Sequence, residues 1–421
     1  MAEKKLTNRW LMLFLLLGIA ILNYADRYLL SGLVGPIKAD FELSDGMMGL
    51  LMGPAFAVIY TVAALPIARL ADQTSRIAVL CAGCVVWSGF TALTAYAESS
   101  WMMAAARVGV GVGEAAYQAP ATALIAAYFP AHQRGRALSI IGTAVYFGQI
   151  LGLAGGPAIA ADHGWRTAFE VIGGAGIIIA VTAFLIIREP PHEKTDKDGN
   201  TQRPSFAELG RRLVFTPSIR FMTFGMGLGI LSGLAFGLWG PALFERAYGL
   251  SNAEAGSAFV LSFGLPGFLG VLIFGVIADR LTKKGMDRVL KLSAGALFSA
   301  TLLIWLTIWL PELWMAQVAA VPAGLLGGGW SIGILAALQY VLPERDRATG
   351  IALSMLIVSM FGNVVGPWAA GGLSDLFAGS SEAMGLRMGL SVISPLGLVG
   401  AVLTYFSGRT IAEDRDRLVA A

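Results

Sequence analysis

The sequence predicts an all-α membrane protein with twelve transmembrane helices in two pseudo-symmetric six-helix bundles. Composition is the first reason: 56% of the 421 residues are hydrophobic, 14% are charged and 53 are glycine. That is the balance of helices packed closely in lipid. Twelve apolar runs each reach the roughly 20 residues that a span needs, and the two halves of the chain repeat each other. Helices meet their backbone hydrogen bonds internally, as lipid requires, and the alternation of barrel strands is absent.

Helix 1 is expected over 10–36. Lys4 and Lys5 precede it as in a signal peptide, but the run is too long and lacks a small-residue cleavage site. Asp26 and Arg27 interrupt it. Helix 2 covers 46–68. Helix 3 covers 77–97, where Cys81 and Cys84 have no further Cys or nearby His and read as core packing. Helix 4, 101–129, carries Arg107 and Glu114, with a bend point at Pro120. Helix 5, 136–161, contains GLAGGP (152–157), whose glycines allow close packing and whose Pro157 is a second bend point. Helix 6 covers 166–187. The stretch 188–217 is polar, mixed in charge and proline-containing, and reads as a cytoplasmic linker. Within it, Ser205–Phe215 has the pattern of a short surface helix. The linker separates an N-terminal bundle, 1–187, from a C-terminal bundle, 218–421. Helices 7 to 12 are expected over 218–244, 252–278, 288–310, 313–341, 347–374 and 385–408. Their midspan polar content is Ser, Thr, Gln317, Gln339 and Asn363. Trp239, Trp330 and Trp368 add large apolar faces, read mainly as packing.

With a cytoplasmic N-terminus, 24 of the 30 Lys and Arg residues fall on the cytoplasmic side, against Lys38, Arg166, Arg246 and Arg387 opposite. That bias sets topology and makes both termini cytoplasmic. The net charge of +3 needs no nucleic-acid partner. No Walker pattern, metal-ligand cluster or nucleophile–base set stands out, so no cofactor, metal or enzymatic activity is expected. The lack of an Asn-x-Ser/Thr sequon fits a bacterial inner membrane. A monomer is expected.

The halves match at equivalent positions. ARLADQTSR (68–76) follows helix 2 and GVIADRLTKK (275–284) follows helix 8. FPAHQRGRALS (129–139) precedes helix 5 and LPERDRATGIALS (342–354) precedes helix 11. FGQILG (147–152) answers FGNVVG (361–366). This is the layout of a duplicated unit with a substrate cavity between the halves. Together with RVGVGVG (107–113), these motifs resemble the major facilitator superfamily over essentially the whole chain. ARLADQTSR is a degraded copy of the family's loop motif that keeps Asp72 and Arg76. A narrower resemblance, to the Spinster subfamily and its bacterial homologues, rests on NYADRYLLSG (23–32), GVGEAAYQAP (111–120), HGWRTAFEVIG (163–173) and REPP (188–191). The resemblance implies proton-linked movement of an amphipathic anion, such as a lysophospholipid or a sphingosine-phosphate-like lipid.

Charge at membrane depth persists only where it faces protein or a water-filled cavity. Arg107, Gly111 and Glu114 share one helix face. Arg107 and Glu114 are about 10 Å apart along the axis, so each needs a partner elsewhere, and helix 1 offers Asp26 and Arg27. Two acids and two arginines are neutral while both acids are ionised; protonating one leaves positive charge for an anionic head group. Asp26 and Glu114 are therefore the proton-coupling candidates, and Arg27 and Arg107 the substrate-binding ones. For an acid here to titrate near neutral pH, desolvation must outweigh the opposing Arg. His132, His163 and His192 lie in loops or linker and do not serve. The alternative is that the four residues lock helix 1 against helix 4.

The substrate expectation adds protons and membrane lipids as partners and places the lipid tail along the uncharged C-terminal half. Two other readings stay open: a proton symporter for a small organic anion, and an uncoupled lipid-moving or receptor-like protein. In the loop motifs, Asp72 and Asp279 can each face a helix N-terminus, where the dipole favours a carboxylate. With Arg76, Arg280, Lys283 and Lys284 they resemble the family's cytoplasmic latch, and they also serve as topology signals. Asp279→Asn should shift the population towards the cytoplasm-open state, read as longer spin-label distances across the cytoplasmic mouth. Unchanged distances would leave the motif a topology signal only.

Overall fold

The computed structural model describes residues 7–190, 210, 215–379 and 381–420. The surface helix expected over Ser205–Phe215 and most of the 188–217 linker lie outside the described residues, as do Lys4, Lys5 and His192. In chain order the long helices are α1 (Arg9–Gly32), α2 (Asp45–Gln73), α3 (Arg76–Thr94), α4 (Ser100–Glu114 continued by Gln118–Tyr128), α5 (His132–His163), α6 (Trp165–Ile186), α7 (Pro217–Tyr248), α8 (Asn252–Thr282), α9 (Met286–Trp309), α10 (Leu313–Val341), α11 (Thr349–Phe377) and α12 (Glu382–Leu418). Eleven of these are individually long and apolar enough to cross a membrane among the described residues. The twelfth, α4, is interrupted over 115–117, directly after Glu114.

Contacts group the chain into two units. One is Met1–Leu43, Leu50–Gly199 and Ser251–Ser257; the other is Ser44–Gly49, Asn200–Leu250 and Ala258–Ala421. Within the first, α3 packs on α4 and α6, α2 on α4, and α1 on α5 and α6. Within the second, α9 packs on α10 and α12, α8 on α10, and α7 on α11 and α12. The same pairings recur six helices later, which is what duplication of one bundle produces. Outward faces carry exposed Phe14, Ile178, Leu185 and Val318, suited to lipid rather than water.

Proline shapes four of the helices. α5, α8 and α11 each contain a π-helical turn, Leu151–Gly155, Val260–Gly264 and Met360–Val365, two residues before Pro157, Pro266 and Pro367. A proline ring clashes with the carbonyl four residues earlier. Those carbonyls belong to Leu153, Ser262 and Asn363, all inside the widened turns, where the wider spacing moves them off the ring. In α2 the helix breaks at Gly53, before Pro54. The π turns and the α2 break recur on α2, α5, α8 and α11, a three-helix step within each half, while α4 and α12 are interrupted over 115–117 and 394–395.

Some boundaries differ from expectation. α1 stops at Gly32 and, after Leu33, a second short helix runs Val34–Phe41. α2 and α8 extend past the expected 68 and 278, so Asp72 and Asp279 sit in last helical turns rather than loops. Ala278 and Leu281 are good helix formers, and the chain leaves α8 only near Gly285, at φ 124°.

REPP has a local structural role at its second residue. Glu189 accepts hydrogen bonds from Ser75 Oγ at 2.7 Å and from the amides of Arg76 and Ile77 at 3.2 and 3.4 Å, capping the N-terminus of α3. Thr7 joins the same corner, donating to the Ile186 carbonyl and accepting from the Arg188 amide. Loss of such a cap costs about 0.5–2 kcal/mol. Glu189→Ala should lower the thermal midpoint of the purified protein, and Glu189→Asp should recover part of it; an unchanged midpoint in both would remove the capping role.

Candidate functional site

In α1, Asp26 and Arg27 are adjacent and project to different neighbours; in α4, Arg107 and Glu114 are two turns apart. The structure brings all four together in crossed pairs. Arg27 Nε donates to Glu114 Oε2 at 2.6 Å, and Arg107 Nη1 donates to Asp26 Oδ2 at 2.9 Å. The Arg27 side chain keeps 26% exposure, whereas that of Arg107 keeps 3% and those of both acids 1% or less. Arg27 is thus the member of the set that reaches open space.

Each pair has further neighbours. The Arg27 guanidinium lies 4.9 Å from the ring centres of Phe56 and Tyr60 and 5.3 Å from that of Tyr24, cation–π distances. That of Arg107 lies 5.5 Å from the Phe169 ring. Thr91 Oγ is 2.6 Å from Asp26 Oδ1 and 2.9 Å from the Trp87 carbonyl. Its single proton serves one acceptor at a time, so the hydroxyl can accommodate Asp26 in either protonation state. Among the described residues, Arg107 Nε, Arg107 Nη2 and Glu114 Oε1 are buried with no hydrogen-bond partner.

The other expected site residues are placed separately. Asp72 and Arg76 form an i,i+4 pair at 4.0 Å. Asp279, Arg280, Lys283 and Lys284 are exposed. Pro120 is buried at the third residue of the second α4 segment, just after the break, and Pro157 is buried beside its π turn. Trp239 and Trp330 are buried and Trp368 is half exposed. Trp239 Nε1 donates to the Pro367 carbonyl at 2.9 Å. Cys81 and Cys84 are free and buried, and Cys84 lies against the Gly176 carbonyl.

Sequence reading missed a second charged cluster, inside the second unit. Asp45 receives Arg246 Nη1 on Oδ2 at 2.6 Å and Nη2 on Oδ1 at 2.8 Å, a two-pronged pair. Ser374 Oγ also donates to Oδ2 at 2.6 Å. Asp375 in turn accepts from the amides of Asp45 and Gly46 at 2.8 and 2.7 Å, capping the first turn of α2. Both charges sit at helix ends, where charge is ordinary, so nothing in the sequence singled them out. Phe56 and Tyr60 carried a legible signal, an aromatic pair at i,i+4 on a membrane-length helix. Thr91 carried none.

Comparison with known proteins places this architecture. The sequence pattern of the Major Facilitator Superfamily matches residues 16–367. An MFS-type efflux pump of Mycolicibacterium smegmatis is 30% identical over 96% of this chain and 94% of its own length. A sphingosine-1-phosphate transporter of Xenopus tropicalis is 27% identical over 94% of this chain and 81% of its own. The crystal structure of a bacterial homologue of the human lysosomal transporter Spinster, inward-facing and unoccupied, superposes with a TM-score of 0.83 at 25% identity. It covers 96% of this chain and 98% of the other.

Removing one partner of a largely buried pair costs about 3–5 kcal/mol, because the other charge is left uncompensated; an exposed pair is worth about 0–1 kcal/mol. Arg246→Ala should therefore destabilise the protein much more than Arg166→Ala, which removes the exposed pair with Asp40. Denaturation of the two variants in detergent checks the order, and equal loss would show that the Asp45 pair contributes no more than a surface one.

Proposed function

This chain belongs to the Major Facilitator Superfamily and is a multi-pass membrane transporter with Spinster relatives, and we propose that it moves an amphipathic anionic lipid by proton-coupled alternating access. The lipid is of the lysophospholipid or sphingosine-phosphate kind. The observation that carries the proposal is the set of buried, unpartnered polar atoms on Glu114 and Arg107. Native interiors leave few such atoms, and here one can take a proton and the others an anion.

In this reading Glu114 takes a proton on its carboxylate, loses its charge and loosens its hold on Arg27. Arg27 then presents its planar fork to a phosphate, while Tyr24, Phe56 and Tyr60 cover the hydrocarbon next to the head group. Deprotonation restores the Arg27–Glu114 pair and expels the anion. Asp26 is the second titrating candidate, because Thr91 can turn from it to the Trp87 carbonyl. Opening of the Asp26 pair frees Arg107 as a second anion contact. The Asp72 and Asp279 motifs act as the latch, and Pro120 and Pro157 mark flexing points in α4 and α5. Both termini face the cytoplasm of a bacterial inner membrane.

In proteoliposomes, Glu114→Gln should abolish transport driven by a pH gradient, and Arg27→Lys should weaken binding of a phosphate-headed lipid, since Lys lacks the fork. Shortening the chain should weaken binding by up to ~0.8 kcal/mol for each CH₂ no longer buried. Tight binding of a short carboxylate with no chain-length effect would replace the lipid with a small organic anion. A Glu114→Gln protein with the parent's pH response would remove the coupling role.

A further inference from the structure

α9 and α12 of the second unit meet at both ends of a shared stretch: Gly397 faces Thr301 at one end, and Gly408 faces Asp287 and Leu290 at the other. Between these contacts a groove of about 560 Å³ opens on the outer surface. Its lining is almost wholly apolar, with exposed Phe298, Val402, Tyr405 and Phe406. Gly295 forms part of its floor, and a Cβ built there would meet no atom within 4 Å. This glycine therefore does not serve close helix packing. It keeps the recess open, although glycine is a poor helix former beside alanine.

One end of the groove is basic. Lys291 lines it, five residues into α9 and so about 7 Å from the helix start, paired with Asp287 at 2.9 Å and half exposed. The Arg409 guanidinium lies 5.3 Å from the Tyr405 ring and 5.0 Å from that of Phe406. It has no ion pair among the described residues. The groove thus runs from Lys291, near the start of α9, past the rings that Arg409 covers, into an apolar recess along the span. That matches a lipid with an anionic head and a hydrocarbon chain, not a soluble ion or a neutral lipid.

We propose that the α9–α12 groove is a binding site for one anionic phospholipid of the surrounding bilayer, its phosphate held by Arg409 and Lys291 and one acyl chain lying over Gly295 against Phe298 and Val402. The site is separate from the Arg27–Glu114 centre and does not depend on the transport reading. The bilayer supplies the occupant, and Arg409 has weakly hydrated donors suited to phosphate.

The test measures lipid retention on the purified full-length protein by native mass spectrometry. Phosphatidylglycerol is compared with phosphatidylcholine of the same chains. The parent should retain phosphatidylglycerol in preference. Arg409→Gln should weaken that retention about tenfold, the scale of one charge-assisted hydrogen bond, and bring it to the phosphatidylcholine level. Gly295→Leu fills open space, so it should fold at least as stably as the parent yet lose both lipids from the site. Arg166→Ala, which removes an exposed arginine of the first unit, should keep the parent's retention. Equal retention of the two lipids by the parent, parent-level retention by Gly295→Leu, or an equal loss in Arg166→Ala would each overturn the proposal, the last by showing a general effect of surface charge.

Discussion

Two crossed ion pairs, Asp26 with Arg107 and Arg27 with Glu114, constrain the first unit. A buried charge without its partner is far more costly than the pair, so α1 and α4 must meet in one register. The glycines of the helix-4 motif fix the other two sides of α4, against α2 and α3. A Cβ at Gly111 would sit 2.8 Å from the Phe56 carbonyl oxygen of α2, and one at Gly113 would sit 2.8 Å from that of Gly83 in α3. The motif R-x-x-x-G-x-G thus combines a charge with the two glycines that seat its helix on both neighbours.

The second unit keeps this backbone logic, and its buried ion pair, Asp45 with Arg246, sits at helix ends instead of midspan. In α10, Gly324 and Gly328 approach the Phe263 and Gly267 carbonyls of α8 as Gly111 approaches α2. The π turns before Pro266 and Pro367 answer the one before Pro157. An apolar core that includes Trp330, Phe274 and Leu297 packs α8, α9 and α10 together. Duplication preserved how helices touch, which any bundle needs, while the ionisable set stayed in one copy. Among the described residues, the midspan ion pairs therefore belong to the first unit.

Much of this was legible from the chain. Membrane-length runs, the repeated motifs and the four midspan charges are local signals, and the helix order and the pairing of α1 with α4 followed from them. Three kinds of feature were not. The Asp45–Arg246 pair joins residues 201 positions apart, each unremarkable at its own helix end. The π turns depend on how a helix relieves a proline clash, and sequence alone leaves a kink or a break equally available. Thr91 and Glu189 act through geometry alone, one hydroxyl between two acceptors and one carboxylate over a helix start. The motif aspartates were placed in loops because the apolar run ends before them, yet helix propensity carried the turn further.

The two charged clusters differ in one respect that bears on mechanism. At Asp45 each carboxylate oxygen is answered by an Arg246 nitrogen and one also by Ser374, so the geometry is saturated and any rearrangement loses hydrogen bonds. At the centre, one Glu114 oxygen and two Arg107 nitrogens are left over, and an unmet buried group costs about 1–3 kcal/mol. A structural clasp gains nothing by carrying that cost. A site that must exchange partners does, because the bound state can then be better satisfied than the empty one, and the difference drives binding. Arg27 adds the access that such an exchange requires, since it alone of the four reaches open space. Saturation at Asp45 and deficit at the centre thus distinguish the two clusters, and the deficit is what the proposed exchange of partners would use.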